Sequence, residues 1–404
     1  GETVRRNNVQ LRHLMEKGHG YTLHDRRVLL GIIGELLSSV IDRYRVLAEN
    51  GQIELSMTPY AHPIIPLLLD LDTAREAIPG IAMPQERGYP GGRERVDWHI
   101  REGLETFEQY FGRKPTGCWP SEGGVSRAAL AVLDEHGFTW AASGESVFRH
   151  SMNHKDNASL ADASLYQAFT QSENGPACFF RDDGLSDLIG FTYSDWHADD
   201  AVGNLVQHLE NIAASTQAQK NPLVSIILDG ENAWEHFPEN GYYFLNTLYK
   251  KLAEHPGLKM TTYSEYLKER PQRQSLRTLV SGSWVYGTFS TWIGDIDKNR
   301  GWEMLIDAKQ AFDETVAENS LGSEELLAAQ HQLSICEGSD WFWWFGDYNP
   351  ADSVSDFERL FRVHLSNLYS MLGRQPPEYL SHTFTRGGGE PAAGGVMRRG
   401  QFTG

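Results

Sequence analysis

The chain has 404 residues, with 36 lysine and arginine residues against 54 aspartate and glutamate residues, and therefore a formal net charge of −18. This acidic balance argues against sequence-independent nucleic-acid binding and against binding to anionic membranes, because both need concentrated positive charge. The three cysteines, Cys118, Cys178 and Cys336, form no Cys-x-x-Cys pair, which excludes a disulfide framework and a cysteine zinc site.

The apolar segments of the chain are short. The longest, residues 64–69, contains Pro66 and falls well below the roughly 20 residues that cross a bilayer. The first residues, Gly-Glu-Thr-Val-Arg-Arg, do not form a signal peptide. We therefore expect a cytoplasmic protein without a membrane or nucleic-acid partner.

Strand-like segments alternate with helical ones over the first 270 residues. Apolar periodicity predicts helices at residues 26–50, 96–111, 126–136, 199–216 and 241–254, with Ser126 as an N-cap. Short apolar runs predict strands at residues 52–58, 117–119, 138–142, 177–181, 188–192, 223–228 and 258–262. This alternation predicts parallel βα units, and the length suits a β/α barrel over residues 1–272.

The pattern changes near Pro271. Residues 273–384 are predicted to form a mainly helical region, with helices at residues 302–317, 323–336 and 355–372. The segment 385–404 is rich in glycine and lacks periodicity, which predicts a flexible tail.

The chain is also rich in aromatic residues, with 11 tryptophans, 16 tyrosines and 18 phenylalanines. Many lie in turn-like segments, where their flat faces could stack on sugar rings, although large protein cores use the same residues.

Two carboxylates follow predicted strands, at the end of a barrel where active sites lie. Glu122 stands in Trp-Pro-Ser-Glu-Gly-Gly-Val-Ser at residues 119–126, and Asp229 directly follows the apolar run 223–228. Burial at a strand end would raise the pKa of Asp229, as a general acid requires. Retaining glycosidases use such a pair at about 5–5.5 Å, one carboxyl as nucleophile and one as acid/base.

A metal site is a weaker interpretation of the second loop. Glu231, Glu235 and His236 match no His-Glu-x-x-His spacing, and we expect neither a metal nor another cofactor. Cys118, although close to Glu122, has no evident histidine base and is interpreted as a packed residue.

Four segments in order resemble glycoside hydrolase family 57, whose members act on α-glucans and contain a seven-stranded β/α barrel. Residues 119–126 resemble the nucleophile motif, and Asp-Gly-Glu-Asn at residues 229–232 resembles the acid/base motif. Ser-Met-Thr-Pro-Tyr-Ala-His-Pro at residues 56–63 and Ser-Asp-Trp at residues 339–341 resemble two further conserved regions. The residues of these motifs are most similar to those of the α-amylase and amylopullulanase-like branch of the family.

The resemblance implies a role for each site residue. Glu122 would be the nucleophile and Asp229 the acid/base. An α-glucan or maltooligosaccharide would bind to a further set of residues, for several of which a structural role is the competing interpretation: His62, Trp119, Trp196, Trp234, Tyr286, Asp340 and Trp341.

The chain departs from the family in one motif. Family members open with a strand that ends in His-Gln-Pro, whereas the His331-Gln332 pair here lies in a predicted helix and is followed by Leu333. We interpret the first strand as missing from this sequence, so that the barrel would be incomplete.

The first functional prediction is a retaining hydrolase of α-1,4 linkages, with α-1,6 linkages as an extension. A 4-α-glucanotransferase or branching enzyme, in which a sugar hydroxyl replaces water, is the main alternative. A metal-dependent deacetylase or α-mannosidase would need a spaced histidine pair beside acidic pairs such as Asp182-Asp183, and no such pair stands on the strand-end loops. A catalytically inactive carbohydrate-binding protein is the remaining alternative.

Overall fold

A computed structural model describes residues 1–86, 88–160, 165–230, 232–269 and 271–389. The chain divides into two compact units. The first comprises Gly1–Leu55, Phe107–Lys114 and Gly184–Pro271, and the second Ser56–Thr106, Pro115–Asp183 and Gln272–Gly404.

The first unit is helical. Its α-helices are α1 (Glu2–Asn7), α2 (Val9–Lys17), α3 (Leu23–Ser38), α4 (Val40–Glu49), α10 (Asp183–Phe191, whose first residue belongs to the second unit), α11 (Ala198–Ser215), α12 (Asn232–Glu235), α13 (Tyr242–Glu254) and α14 (Tyr263–Lys268). Its core joins α10, α11 and α13 through buried residues that include Ile189, Leu205 and Phe244. Two short 3-10 helices, Tyr193–Asp195 and Pro238–Gly241, flank this core.

Four sequence predictions for the first unit differ from the structure, and two of them concern segments that are helical in the structure. Residues 188–192, predicted as a strand, lie in and just after α10, because Leu185 and Ile189 bury one helical stripe against the core. The predicted helix at residues 26–50 is broken at Ser39, whose hydroxyl donates to the carbonyl of Leu36 and competes with the helical hydrogen bonds.

The apolar run 223–228 forms no assigned strand among the described residues. Its alternate side chains, Val224, Ile226 and Leu228, pack against the core of the first unit, which explains the apolar pattern. The predicted strand at residues 258–262 is likewise unassigned.

The second unit contains the sheet. Its strands are β1 (Gly117–Cys118), β2 (Trp140–Ser143), β3 (Ala168–Thr170), β4 (Ala177–Phe180) and β5 (Arg273–Ser275), in the order β1-β2-β4-β3-β5. β1, β2 and β4 are parallel, β3 is antiparallel to β4, and β5 is parallel to β3. The predicted strand at residues 52–58 is reduced to a parallel bridge between Met57 and Cys118.

The second unit also contains helices that come before, between and after these strands in chain order. They are α5 (Ile65–Leu69), α6 (Ala74–Ala77), α7 (Gly92–Phe111, whose last turn belongs to the first unit), α8 (Arg127–Glu135), α9 (Glu145–Met152), α15 (Ile296–Ala317), α16 (Ser323–Cys336), α17 (Ser339–Trp344) and α18 (Ala351–Met371). Short 3-10 helices form at Leu71–Thr73, Ser121–Gly123, Lys155–Leu160 and Glu378–Ser381. Ser126 caps α8 by accepting a hydrogen bond from the amide of Ala129, as predicted.

The mixed α/β fold with a helical C-terminal region is confirmed. In that region the rings of Trp302 and Phe342 stack with centroids 4.5 Å apart, and Phe345 and Phe361 pack edge to face at 5.3 Å. Residues 390–404 of the predicted flexible tail lie outside the described part of the chain. No described helix has the length and apolar character needed to cross a membrane.

The contact between β1 and β2 leaves no room for a side chain at Gly117. A Cβ atom there would stand 1.8 Å from the ring of the buried Trp140, which is its register partner. We expect Gly117→Ala to lower the free energy of unfolding of the second unit by about 1–3 kcal/mol, because the ring must shift within a packed core. Urea unfolding followed by circular dichroism measures this loss.

Gly80→Ala is the matched control, since a Cβ at Gly80 meets no atom within 4 Å. That variant should unfold within about 0.5 kcal/mol of the wild type. Equal stability of both variants would contradict the packing described at Gly117.

Candidate active site

Glu122 lies in a strained turn directly after β1. Its backbone is left-handed, with φ 56° and ψ 27°, a conformation that costs a non-glycine residue on the order of 1–3 kcal/mol. The amide of Trp284 donates to the carbonyl of Glu122 at 3.1 Å, and the Ser143 hydroxyl donates to the carbonyl of Gly123 at 2.6 Å. These bonds hold the turn in its strained form.

The carboxylate of Glu122 has a different neighbour at each oxygen. The indole N–H of Trp284 donates to Oε2 at 3.1 Å, and Nδ1 of His62 stands 4.0 Å from Oε1. The side chain of Glu122 is only 16% exposed. The structure thus orients this carboxylate in a mostly buried position.

Aromatic rings form one wall beside Glu122. Trp119 and Trp284 meet edge to face with centroids 5.3 Å apart. At Gly123, which has φ 57°, a Cβ atom would stand 2.8 Å from the Trp119 ring, so the close approach requires glycine. The predicted sugar-stacking residue Trp119 and the predicted nucleophile are therefore brought together.

Trp284 and Arg181 are contacts of this wall that the sequence did not single out. Arg181, which is 3% exposed, holds its guanidinium 5.5 Å from the centroid of the Trp284 ring and donates to Asp183 Oδ1 at 2.8 Å. The predicted substrate contact in this stretch was Tyr286, whereas Trp284 is the residue that binds the carboxylate of Glu122.

His62 belongs to a second strained loop. Ala61 and His62 have φ values of 55° and 59°. The amide of Ser339 donates to the carbonyl of His62 at 3.0 Å, and the Ser339 hydroxyl lies 2.7 Å from His62 Nδ1. The segments at residues 56–63 and 339–341, which resemble two conserved regions of family 57, therefore meet through His62 and Ser339.

The strain is concentrated around these residues. Among the described residues other than glycine and asparagine, a positive φ occurs at Ala61, His62, Glu122, Glu239 and Tyr286. Four of the five lie in the loop of His62, in the turn of Glu122 or in the stretch that carries Trp284. Such clustering is typical of functional sites.

Asp340 and Trp341 follow Ser339 in α17. Asp340 is exposed. The indole N–H of Trp341 donates to the carbonyl of Ile335 at 2.6 Å, and its ring packs against Phe361 and His364 of α18. These contacts give Trp341 a structural role; its predicted role in substrate binding remains a prediction.

A buried ion cluster lies just before Ser339. Glu337, fully enclosed, accepts hydrogen bonds from Tyr89 Oη at 2.6 Å, Arg95 Nη2 at 2.7 Å and His99 Nε2 at 2.7 Å. Burial alone would raise the pKa of Glu337, but the positive charges of Arg95 and His99 and their hydrogen bonds outweigh it and lower this pKa to about 2.

The remaining predicted site residues belong to the first unit. Asp229 is partly buried and follows Leu228, whose side chain packs against the core. Trp234 packs against Phe237 and Gly241, whereas Trp196 is 43% exposed with its ring edge to face with Tyr193. Glu231, considered as a metal ligand, lies outside the described residues. Within the described part of the chain, no three His, Cys, Asp or Glu side chains are grouped to hold a metal ion.

Comparison with known families decides the relationship. Residues 7–278 match a family model described as glycosyl hydrolase family 57. The chain belongs to glycosyl hydrolase family 57. The resemblance stated from the sequence motifs is thereby confirmed.

Solved structures of other proteins share the fold at low sequence identity. An α-amylase from Thermotoga maritima superposes with a TM-score of 0.62 at 16% identity, covering 94% of this chain and 79% of that one. A family 57 branching enzyme from Thermococcus kodakaraensis, described in complex with glucose, gives a TM-score of 0.61 at 14% identity, covering 92% and 74%. A 4-α-glucanotransferase from Thermococcus litoralis gives 0.55 at 17% identity, covering 84% and 52%. A comparison with curated proteins finds no match.

The lowered pKa of Glu337 makes a prediction for acid stability. Between its ordinary value of 4.5 and about 2, the unfolded chain binds a proton at Glu337 that the folded chain does not. The stabilisation from its charge is complete above pH 4.5 and is lost as the pH falls toward 2, by roughly 1.4 kcal/mol per pH unit. We expect the stability difference between wild type and Glu337→Gln to shrink as the pH falls below 4.5.

Urea unfolding of both proteins at several pH values between 3.5 and 6.5 measures this difference. A difference that stays constant over the whole range would show that Glu337 is not charged in the folded protein at the lower pH values.

Proposed function

We propose that this protein is a retaining glycoside hydrolase that acts on α-glucans, with Glu122 as nucleophile and Asp229 as acid/base. The observation that carries the proposal is the setting of Glu122. It is a carboxylate held in a strained turn after a parallel strand, with a tryptophan N–H on one oxygen and a wall of indole rings beside it. Such a setting suits a preorganised nucleophile in a sugar site.

Glu122 is the nucleophile in this mechanism. Trp284 orients its carboxylate through Oε2, and a carboxylate oxygen attacks the anomeric carbon. As the glycosyl–enzyme bond forms, Asp229 donates its proton to the departing glycosidic oxygen. Asp229 then takes a proton from water, which attacks the anomeric carbon, breaks the bond to Glu122 and restores both carboxyl groups.

The neighbouring side chains bind the sugar. Trp119 and Trp284 stack on the apolar face of a glucose ring, and His62, 4.0 Å from Oε1, donates to or accepts from a sugar hydroxyl at the reacting ring. We also propose Trp196, Trp234, Tyr286, Asp340 and Trp341 as substrate contacts.

The choice of α-glucans is supported by the related structures. An α-amylase, a branching enzyme and a 4-α-glucanotransferase share this fold. These three descriptions differ in whether water or a sugar hydroxyl receives the glycosyl group, and product analysis separates the two outcomes for this protein.

The identity of the glycosyl acceptor, water or a sugar hydroxyl, is tested with maltoheptaose as substrate. We expect the wild type to hydrolyse it to shorter maltooligosaccharides. Glu122→Gln and Asp229→Asn remove the nucleophile and the acid and should lower kcat by at least about 10³-fold. Product chromatography with reducing-end measurement checks both. Products longer than the donor would instead establish a glucanotransferase or branching enzyme.

The matched controls are Glu108→Gln and Asp356→Asn, which make the same changes at exposed positions and should keep wild-type activity. A fluorinated α-glycosyl fluoride, which slows release of the intermediate, should label Glu122 as seen by mass spectrometry of the peptide. Full activity of Glu122→Gln, or a label on another residue, would contradict the proposed nucleophile.

The Trp284 hydrogen bond gives a separate prediction. Trp284→Phe keeps a flat ring but removes the N–H that orients Glu122, and a hydrogen bond to a charged group is worth roughly 1.5–3 kcal/mol. We expect kcat/KM for maltoheptaose to fall about 10- to 100-fold.

Trp344→Phe, the same exchange in α17, is the control and should change kcat/KM less than about threefold. If Trp284→Phe were as active as this control, the indole N–H would not be needed to orient the nucleophile.

A further inference from the structure

The buried ion cluster reaches His62 by two routes. The first runs through His99. Its Nδ1 lies 2.7 Å from the carbonyl of Tyr60, and its Nε2 lies 2.7 Å from Glu337 Oε2. The ring of His99 therefore links the backbone of the loop to the buried carboxylate. The amide of Tyr60 donates back to the carbonyl of His99 at 3.1 Å, so this end of the loop is held twice.

The second route runs along the chain from Glu337. This residue is the C-cap of α16, and Gly338 and Ser339 follow it directly. A Cβ at Gly338 would stand 3.0 Å from the carbonyl of Ala61, so glycine allows the two backbones to approach. Ser339 then bonds both the carbonyl and the ring of His62.

The loop between these two attachments is strained. Ala61 and His62 are both left-handed, and each such residue costs on the order of 1–3 kcal/mol unless its surroundings impose it. The attachments lie at Tyr60 and at His62, on either side of Ala61. Glu337 anchors both of them, since it binds His99 and begins the segment that carries Ser339.

We propose that Glu337 is a positioning residue for His62. Its carboxylate acts on the loop through His99, and its fixed position sets the Gly338–Ser339 segment that follows it in the chain and binds His62. Together these attachments impose the strained Tyr60–His62 conformation that places the imidazole beside Glu122. This proposal rests on the proposed function for its effect on catalysis, whereas the placement of His62 is a property of the structure that can be measured without a substrate.

The catalytic test compares Ser339→Ala, Glu337→Gln and His62→Ala, alone and in pairs. Ser339→Ala removes the hydroxyl bonded to the imidazole and leaves the ion cluster intact, so it remains informative even where Glu337→Gln folds poorly. We expect Ser339→Ala to lower kcat/KM for maltoheptaose about 3- to 10-fold, which corresponds to a hydrogen bond of about 0.6–1.4 kcal/mol. Glu337→Gln should lower it at least as much.

The paired variants decide whether these residues act through His62. In a His62→Ala background, Glu337→Gln and Ser339→Ala should each change kcat/KM by less than about twofold, because the ring they position is gone. If the fold-losses in kcat/KM of the single variants simply multiplied in the double variants, the proposal would be overturned. Ser334→Ala is the matched control, since its buried hydroxyl in α16 donates to the carbonyl of His331 and should leave kcat/KM unchanged.

An NMR measurement tests the placement of His62 independently of the proposed function. In protein labelled with ¹⁵N-histidine, the ring signals of His62, assigned by their loss in His62→Asn, should shift in Ser339→Ala and Glu337→Gln and stay unchanged in Ser334→Ala. Unchanged His62 signals in both variants would overturn the positioning role, whatever the activity. A wild type that leaves α-glucans intact would contradict the proposed function, and this measurement would still decide the placement of His62.

Discussion

The structure of the second unit depends on one charged carboxylate that is buried, that of Glu337. Glu337 is fully buried, and its charge is tolerated because Tyr89, Arg95 and His99 all donate to it. Removing one partner from such a cluster leaves an uncompensated charge, which costs far more than a surface ion pair contributes. The cluster therefore ties α7, which carries Arg95 and His99, to the end of α16.

The same cluster is the first in a series of contacts that ends at Glu122. The loop of His62 and the turn of Glu122 both contain left-handed residues, and both are held by hydrogen bonds from the helical C-terminal region of the second unit. Ser339 holds His62, and Trp284 holds Glu122 through both its amide and its indole. The strain in the site is thus balanced by contacts that come from segments distant in sequence.

Membership of family 57 and the choice of reaction have separate physical origins. The fold sets the carboxylate of Glu122 after a strand and beside a wall of two indole rings, and the proposed function assigns this carboxylate the attack on a sugar. In the proposed mechanism, whether water or a sugar hydroxyl completes the reaction depends on the relative access of the two acceptors to the intermediate. Changes in side chains can alter this access without any change in the fold.

Local pattern in the sequence determined the helices of the C-terminal region, the N-cap at Ser126 and the motifs that place the chain in family 57. These features depend on near neighbours, so they can be predicted from a short window. The strands at residues 188–192 and 223–228 were wrongly predicted because an apolar run has the same composition in a strand, in a buried helix and in an extended segment that packs on a core.

Tertiary structure alone decided the partners of the predicted site residues. Glu122 and His62 were predicted from motifs, but the donor to Glu122 comes from Trp284, 162 positions away, and the partner of His62 comes from Ser339, 277 positions away. The burial of Glu337 could not be predicted from the sequence, because a glutamate at a helix end is ordinarily exposed. Only the packing of α7 against the end of α16 surrounds it with donors, and burial is what turns these ordinary residues into a charged anchor.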